Sequence, residues 1–96
     1  MARFNEIGTA TIPGKGTRLR LLQRNDEFSI KIAGTTGELM NSRIHGSEDA
    51  LATLACERIA DQPNPRVLIG GLGMGFTLAA ALAALNDDAQ VMVAEL

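Results

Sequence analysis

The feature that most constrains this 96-residue chain is a glycine-rich stretch set between two apolar runs. Arg66-Val67-Leu68-Ile69 is followed by Gly70-Gly71-Leu72-Gly73-Met74-Gly75. Val67 to Ile69 is short and continuously apolar, as a parallel strand covered on both faces requires. The glycines mark a turn in which the backbone takes positive φ or comes close to a ligand. Thr77 to Leu85 is mostly Ala and Leu, strong helix formers with no breaker among them. Asn86-Asp87-Asp88 ends that helix, and Val91 to Val93 reads as a second buried strand. Strand, glycine turn, helix and strand make a βαβ unit, with a right-handed crossover expected.

Ligands of open α/β sheets sit beyond the carboxyl ends of the strands, where the first glycine turn lies. The helix N-terminus behind it favours an anionic or electron-rich group. Glu95 closes the second strand, 24 positions after Gly71. A carboxylate about 20 residues beyond the turn is where a ribose diol is gripped, so the spacing argues for a nucleoside. The register narrows the choice. G-x-G-x-x-G from Gly71 puts Phe76 where the third glycine belongs, and from Gly70 it puts Leu72 at the second. A P-loop fails because no Gly-Lys-Ser/Thr follows. The tighter Gly71-x-Gly73-x-Gly75 remains. The alternative is a turn that only packs helix against strand.

Upstream the chain reads as strands and tight turns. Phe4 to Ile12 is rich in β-branched residues (Ile7, Thr9, Thr11 and Ile12) and ends at Pro13-Gly14-Lys15-Gly16. Thr17 to Gln23 sets Leu19 and Leu21 against Arg18 and Arg20, with Leu22 on the arginine side. Arg24-Asn25-Asp26-Glu27 signals a hairpin. Phe28, Ile30 and Ile32 alternate with Ser29, Lys31 and Ala33, and Glu38 to Ile44 is a weaker strand after Gly34-Thr35-Thr36-Gly37. The expectation is an antiparallel meander solvated on one side. Arg18, Arg20, Arg24 and Lys31 are interleaved with Asp26, Glu27 and Glu38 and read as a solvated face. Ser47 is the expected N-cap of a helix over 47–60, with Glu48 and Asp49 in its first turn and Leu51, Leu54, Ala55 and Ile59 as its apolar stripe. Asp61-Gln62-Pro63-Asn64-Pro65 connects it to the glycine-turn strand and is the best boundary in the chain. His45 has no partner named by the sequence and reads as a loop or capping residue.

Composition excludes several classes. A net charge of −2 lacks the basic face that nucleic acid requires. No apolar run reaches the roughly 18 residues of a membrane span, and Met1-Ala2-Arg3-Phe4-Asn5-Glu6 leads into no signal-peptide core. The single Cys56 rules out an internal disulfide, fits a reducing cytoplasm and reads as a small buried hydrophobe. Nothing suggests a metal. The chain stops just past Glu95, so it is expected to be the N-terminal portion of a larger protein. Uncovered strand edges predict self-association into a homo-oligomer.

Val67 to Gly75 together with Val93-Ala94-Glu95-Leu96 resembles the nucleoside-binding region of class I S-adenosylmethionine-dependent methyltransferases. It is closer still to the spermidine synthase (polyamine aminopropyltransferase) family that shares that fold. Leu39 to Glu48 looks like the segment leading into that family's helix, so the resemblance spans essentially the whole chain. It implies an α/β protein: a small N-terminal antiparallel β-meander over residues 1–45, then over 46–96 the first βαβ unit (66–96) of a truncated Rossmann-like methyltransferase domain. It also implies that Gly70, Gly71, Leu72, Gly73, Met74 and Gly75 bind an S-adenosyl nucleoside and that Glu95 holds its ribose. The implied donor is decarboxylated S-adenosylmethionine, S-adenosylmethionine or methylthioadenosine, with an amine as acceptor. Leu72 and Met74 stand where the family has glycine and aspartate, and its Tyr-His-Glu becomes Gly46-Ser47-Glu48. Its amine-activating aspartate falls beyond residue 96, so no catalytic residue is assigned. Methyl transfer is the second reading, and a non-catalytic self-association module the third.

Overall fold

A computed structural model describes residues 3–96; what the sequence suggests for Met1 and Ala2 lies outside the described residues. The protein is mixed α/β and divides into two compact units, one ending at Ile44 and one beginning at His45. The connector at Asp61 to Pro65 falls inside the second unit.

The first unit is a four-stranded antiparallel sheet in the order β1 (Asn5–Thr11), β2 (Arg18–Arg24), β3 (Glu27–Ile32), β4 (Glu38–Asn41). Arg24 pairs with Glu27, leaving Asn25-Asp26 as a two-residue loop in which Asn25 takes φ 55, a conformation asparagine tolerates. The alternation is correct but the buried side is not the expected one. Leu22 and Ser29 pair across β2 and β3 on the face that carries the arginines, and both are buried, Ser29 completely. Leu19, Leu21 and Ile30 are only half-buried on the opposite face.

A bulge explains what covers Ser29. β3 and β4 pair as Ser29 with Asn41 and Ile30 with Met40, then shift so that Lys31 meets Glu38. One extra residue, the exposed Leu39, is absorbed there, which brings Glu38 onto the face that holds Ser29. Glu38 accepts hydrogen bonds from Ser29 Oγ (2.5 Å), Asn41 Nδ2 (2.8 Å) and Arg43 Nη2 (3.0 Å). β4 ends earlier than expected because Asn41 turns the chain. Its Oδ1 accepts the N–H groups of Arg43 and Ile44, at 2.9 and 3.1 Å, an Asx-type local bond that competes with the ladder. The expected solvated arginine face is therefore laced with ion pairs, Arg20–Glu6 at 2.7 Å and Arg24–Glu27 at 3.0 Å.

The second unit comprises α1 (Gly46–Glu57), β5 (Arg66–Gly70), α2 (Phe76–Ala84) and β6 (Gln90–Ala94). β5 and β6 pair in parallel, from Arg66 with Gln90 to Gly70 with Ala94, and α2 makes the crossover between them. Ala52 and Cys56 of α1, Ile69 of β5 and Ala81 of α2 form the core, with Val67, Val91 and Val93 against it. The stripe expected on α1 is corrected here. Leu51 and Leu54 are each 66% exposed, and the helix buries Ala52 and Cys56 instead. Small residues let two helices approach closely, so the contact surface is made of Ala and Cys rather than leucine. The helix start also moves. His45, not Ser47, is the N-cap, and Ser47 sits in the first turn with its hydroxyl on Glu48 at 3.3 Å. Among the described residues no helix is long and apolar enough to cross a membrane.

Candidate functional site

Parallel pairing of β5 and β6 places the residues after Gly70 beside those after Ala94. Gly71 continues the ladder by donating its N–H to Ala94 O at 2.7 Å. The chain then leaves the sheet in a turn closed by Gly75 N–H to Leu72 O at 2.9 Å, and α2 starts as Ala79 N–H bonds Gly75 O at 2.9 Å. Gly71, Gly73 and Gly75 take φ 87, 55 and 85. Every second residue is left-handed, so the G-x-G-x-G spacing is a backbone requirement. It is not a space requirement at the first two, because a Cβ built on Gly71 or Gly73 meets nothing within 4 Å. The backbone there is open to an incoming molecule. Gly70 belongs to the strand, with ordinary φ.

Glu95 turns its side chain into this bend. Its Oε1 accepts the N–H of Leu72 at 2.6 Å, and its Oε2 accepts the N–H of Leu96 at 3.0 Å. The Leu72 amide, then the Leu96 amide and more weakly that of Gly73, hold the carboxyl below its usual range, against a smaller opposing effect of desolvation. The group is a charged, exposed acceptor. A carboxylate offers about four lone-pair sites, so acceptor capacity remains beyond these two short bonds. Leu72 is 43% exposed and Met74 and Phe76 are half-buried around the turn. The turn from Gly71 to Gly75 and Glu95 are therefore in one place.

A second polar group lies next to the turn and was not foreseen as a group. Nδ1 of His45 is 2.8 Å from Asp49 Oδ2, and the imidazole stacks on the ring of Phe76, the residue after Gly75, with centroids 3.9 Å apart and planes 7° off parallel. The sequence names Asp49 once the N-cap is placed at His45, since the two are then separated by one helical turn. The Thr77 hydroxyl donates to Glu48 O at 3.3 Å, so the N-terminal ends of α1 and α2 are held together. Cys56 is fully buried and serves packing.

Comparison with protein-family models, with curated proteins and with solved structures finds no match to this chain.

Proposed function

We propose that the second unit is the opening βαβ part of a Rossmann-like domain that binds an S-adenosyl nucleoside, in a spermidine synthase-like transferase. The observation that carries the reading is the 2.6 Å bond from Leu72 N–H to Glu95 Oε1. It puts a charged carboxylate over an open glycine turn, where a ribose diol needs an acceptor and the rest of the nucleoside needs bare backbone. Gly71, Gly73 and Gly75 let the donor's sulfur-bearing arm approach the chain, while Leu72, Met74 and Phe76 shape the walls.

A sulfonium is already a good leaving group, so transfer from S-adenosylmethionine or its decarboxylated form depends mainly on alignment of donor and acceptor. The aminopropyl reading comes from the likeness of the glycine loop and its flanks to that family. Met74 supplies no carboxylate for an ammonium where that family has aspartate, which leaves methyl transfer as the rival within the same site. Spermidine formed from putrescine and decarboxylated S-adenosylmethionine separates the two.

Glu95→Ala is expected to weaken binding of S-adenosylmethionine or methylthioadenosine by roughly 10- to 100-fold, the loss of hydrogen bonds to a charged acceptor. Isothermal calorimetry checks it, and unchanged affinity refutes the role of Glu95. A reading of another class has its own observation. Leu68 and Met92 are 69% and 66% exposed, side by side in β5 and β6, an uncovered apolar face that favours self-association. Light scattering distinguishes it: a strictly monomeric chain contradicts the self-association module.

A further inference from the structure

We propose that Glu95 is a charge filter at the glycine turn: it occupies amides that a phosphate would need, so the turn admits nucleosides whose ribose carries a neutral or cationic arm and refuses phosphorylated ones. The inference rests on the reading of that turn as a nucleoside site and deepens it. Glycine turns that lead into a helix serve phosphates where several N–H groups converge on one anion. Here those groups are already engaged. Gly71 N–H bonds Ala94 O at 2.7 Å, and Gly75 N–H bonds Leu72 O at 2.9 Å. Leu72 N–H bonds Glu95 Oε1 at 2.6 Å, and the Gly73 amide faces the same carboxylate more weakly. From Gly71 to Gly75, only the N–H of Met74 has no acceptor among the described residues.

An oxygen that accepts the Leu72 N–H must stand about 2.9 Å from the nitrogen, and Glu95 Oε1 already stands there. A phosphate would have to displace that carboxylate or crowd against it as a like charge. No cation relieves the conflict. Neither the run from Gly70 to Phe76 nor the run from Val93 to Leu96 contains Lys, Arg or His. The second unit has no lysine, and its arginines are Arg58 and Arg66. Arg66 begins β5 at the end away from the turn. Arg58 caps the C-terminal end of α1, whose other end is the one held to α2. Phosphate sites bring Lys or Arg to the anion as well as amides, whereas this turn brings a carboxylate. The anion that the helix N-terminus favours is therefore the protein's own. A thioether or a sulfonium needs none of the occupied amides, and a sulfonium gains from the negative charge. Glu95 keeps acceptor sites for ribose hydroxyls, so one group can grip the sugar and refuse the phosphate.

Methylthioadenosine and AMP share adenine and ribose and differ in the arm, a thioether against a phosphate. Calorimetry on the full chain at neutral pH should find methylthioadenosine bound more tightly than AMP by about 10-fold or more, the scale of charge-assisted bonds gained or lost. In Glu95→Ala, loss of the diol contact weakens both ligands alike, while loss of the filter favours AMP alone. The ratio of the two affinities should therefore narrow by about 10-fold. Glu95→Gln keeps the bulk of the side chain, drops its charge and should narrow the ratio in the same direction. Wild type that binds AMP as well as methylthioadenosine, or either variant with the wild-type ratio, overturns the filter. The nucleoside reading fails separately, if Glu95→Ala leaves methylthioadenosine affinity unchanged or if wild type binds neither ligand. Inorganic phosphate, followed at the Leu72 and Gly73 amide resonances, decides the filter whatever the nucleoside affinities. Wild-type resonances should stay still and those of Glu95→Ala should move to saturation; equal movement in both proteins, or none in the variant, overturns the filter.

Discussion

Glu38 and Glu95 are both held below the usual carboxylate range, and for opposite structural reasons. Glu38 is stabilised chiefly by the hydroxyl of Ser29, then by Asn41 and by the charge and hydrogen bond of Arg43, with burial opposing them. Its donors are side chains spread over β3, β4 and the segment that follows, and they take three of its roughly four acceptor sites. Glu95 is stabilised by backbone amides of the glycine turn and of its own neighbour, and stands exposed with lone pairs to spare. The first carboxylate completes a sheet; the second is the one proposed to hold a ligand. A depressed pKa by itself does not mark a functional group, and what distinguishes the two is whether the partners are side chains of a packed sheet or backbone amides of an open turn.

The comparison breaks most visibly at Glu38. Glu38→Ala strands the Ser29 hydroxyl, which is fully buried, and frees Arg43 from its 3.0 Å bond. Leaving a buried polar group unpaired costs about 1–3 kcal/mol, so urea denaturation should show that loss in the first unit. The same truncation at Glu95 should leave the denaturation midpoint nearly unchanged and alter ligand affinity instead. A Glu38→Ala protein as stable as wild type would place Glu38 in the same class as Glu95 and remove the distinction.

A smaller effect is expected at the turn itself. Gly71→Ala adds a Cβ with nothing within 4 Å of it, so any cost comes from φ 87 alone. Forcing an L residue into the left-handed region costs about 1–2 kcal/mol. At Gly73, φ 55 is close to the conformation asparagine accepts, so Gly73→Asn should cost clearly less. Thermal melts of the two variants check the order, and a reversed order means that contacts absent from the unliganded turn set the requirement.

The turn was legible because glycine spacing and backbone geometry are the same information: alternate glycines take alternate positive φ. The parallel pairing of the two short apolar runs was legible, but the cover expected on both faces is absent on one, where Leu68 and Met92 are exposed. What the sequence hid lay in side-chain partners. The alternation of β3 put Ser29 on a solvated face, and only a bulge at Leu39 carries Glu38 over it. A bulge is a choice of register between two strands and leaves no mark on either one alone. On α1, counting large apolar residues favoured Leu51 and Leu54. Close helix contact is instead made through Ala52 and Cys56, so residue size misled where periodicity did not. Asp49 as the partner of His45 was within reach, and was missed by two residues of error in the N-cap.

The finest test of the contrast between the two carboxylates is pH. Glu95 titrates below 4.5, its ordinary value, in the folded chain. The sign follows from that depression. The hold of the carboxylate on the turn is fully present above the ordinary value and is lost as pH falls through the lower, folded one. Because the group is exposed, global stability should hardly register the change, and the local amides should. The Leu72 and Gly73 N–H resonances are expected to move together with a midpoint below 4.5, and Glu95→Gln should abolish the movement. Denaturation followed over the same range should instead report Glu38, whose carboxyl is also depressed and whose protonation loosens a bond to a buried hydroxyl. Amides of the turn that stay still while the first unit weakens would mean that Glu95 does not hold the bend in solution, and the proposed nucleoside site would lose its acceptor.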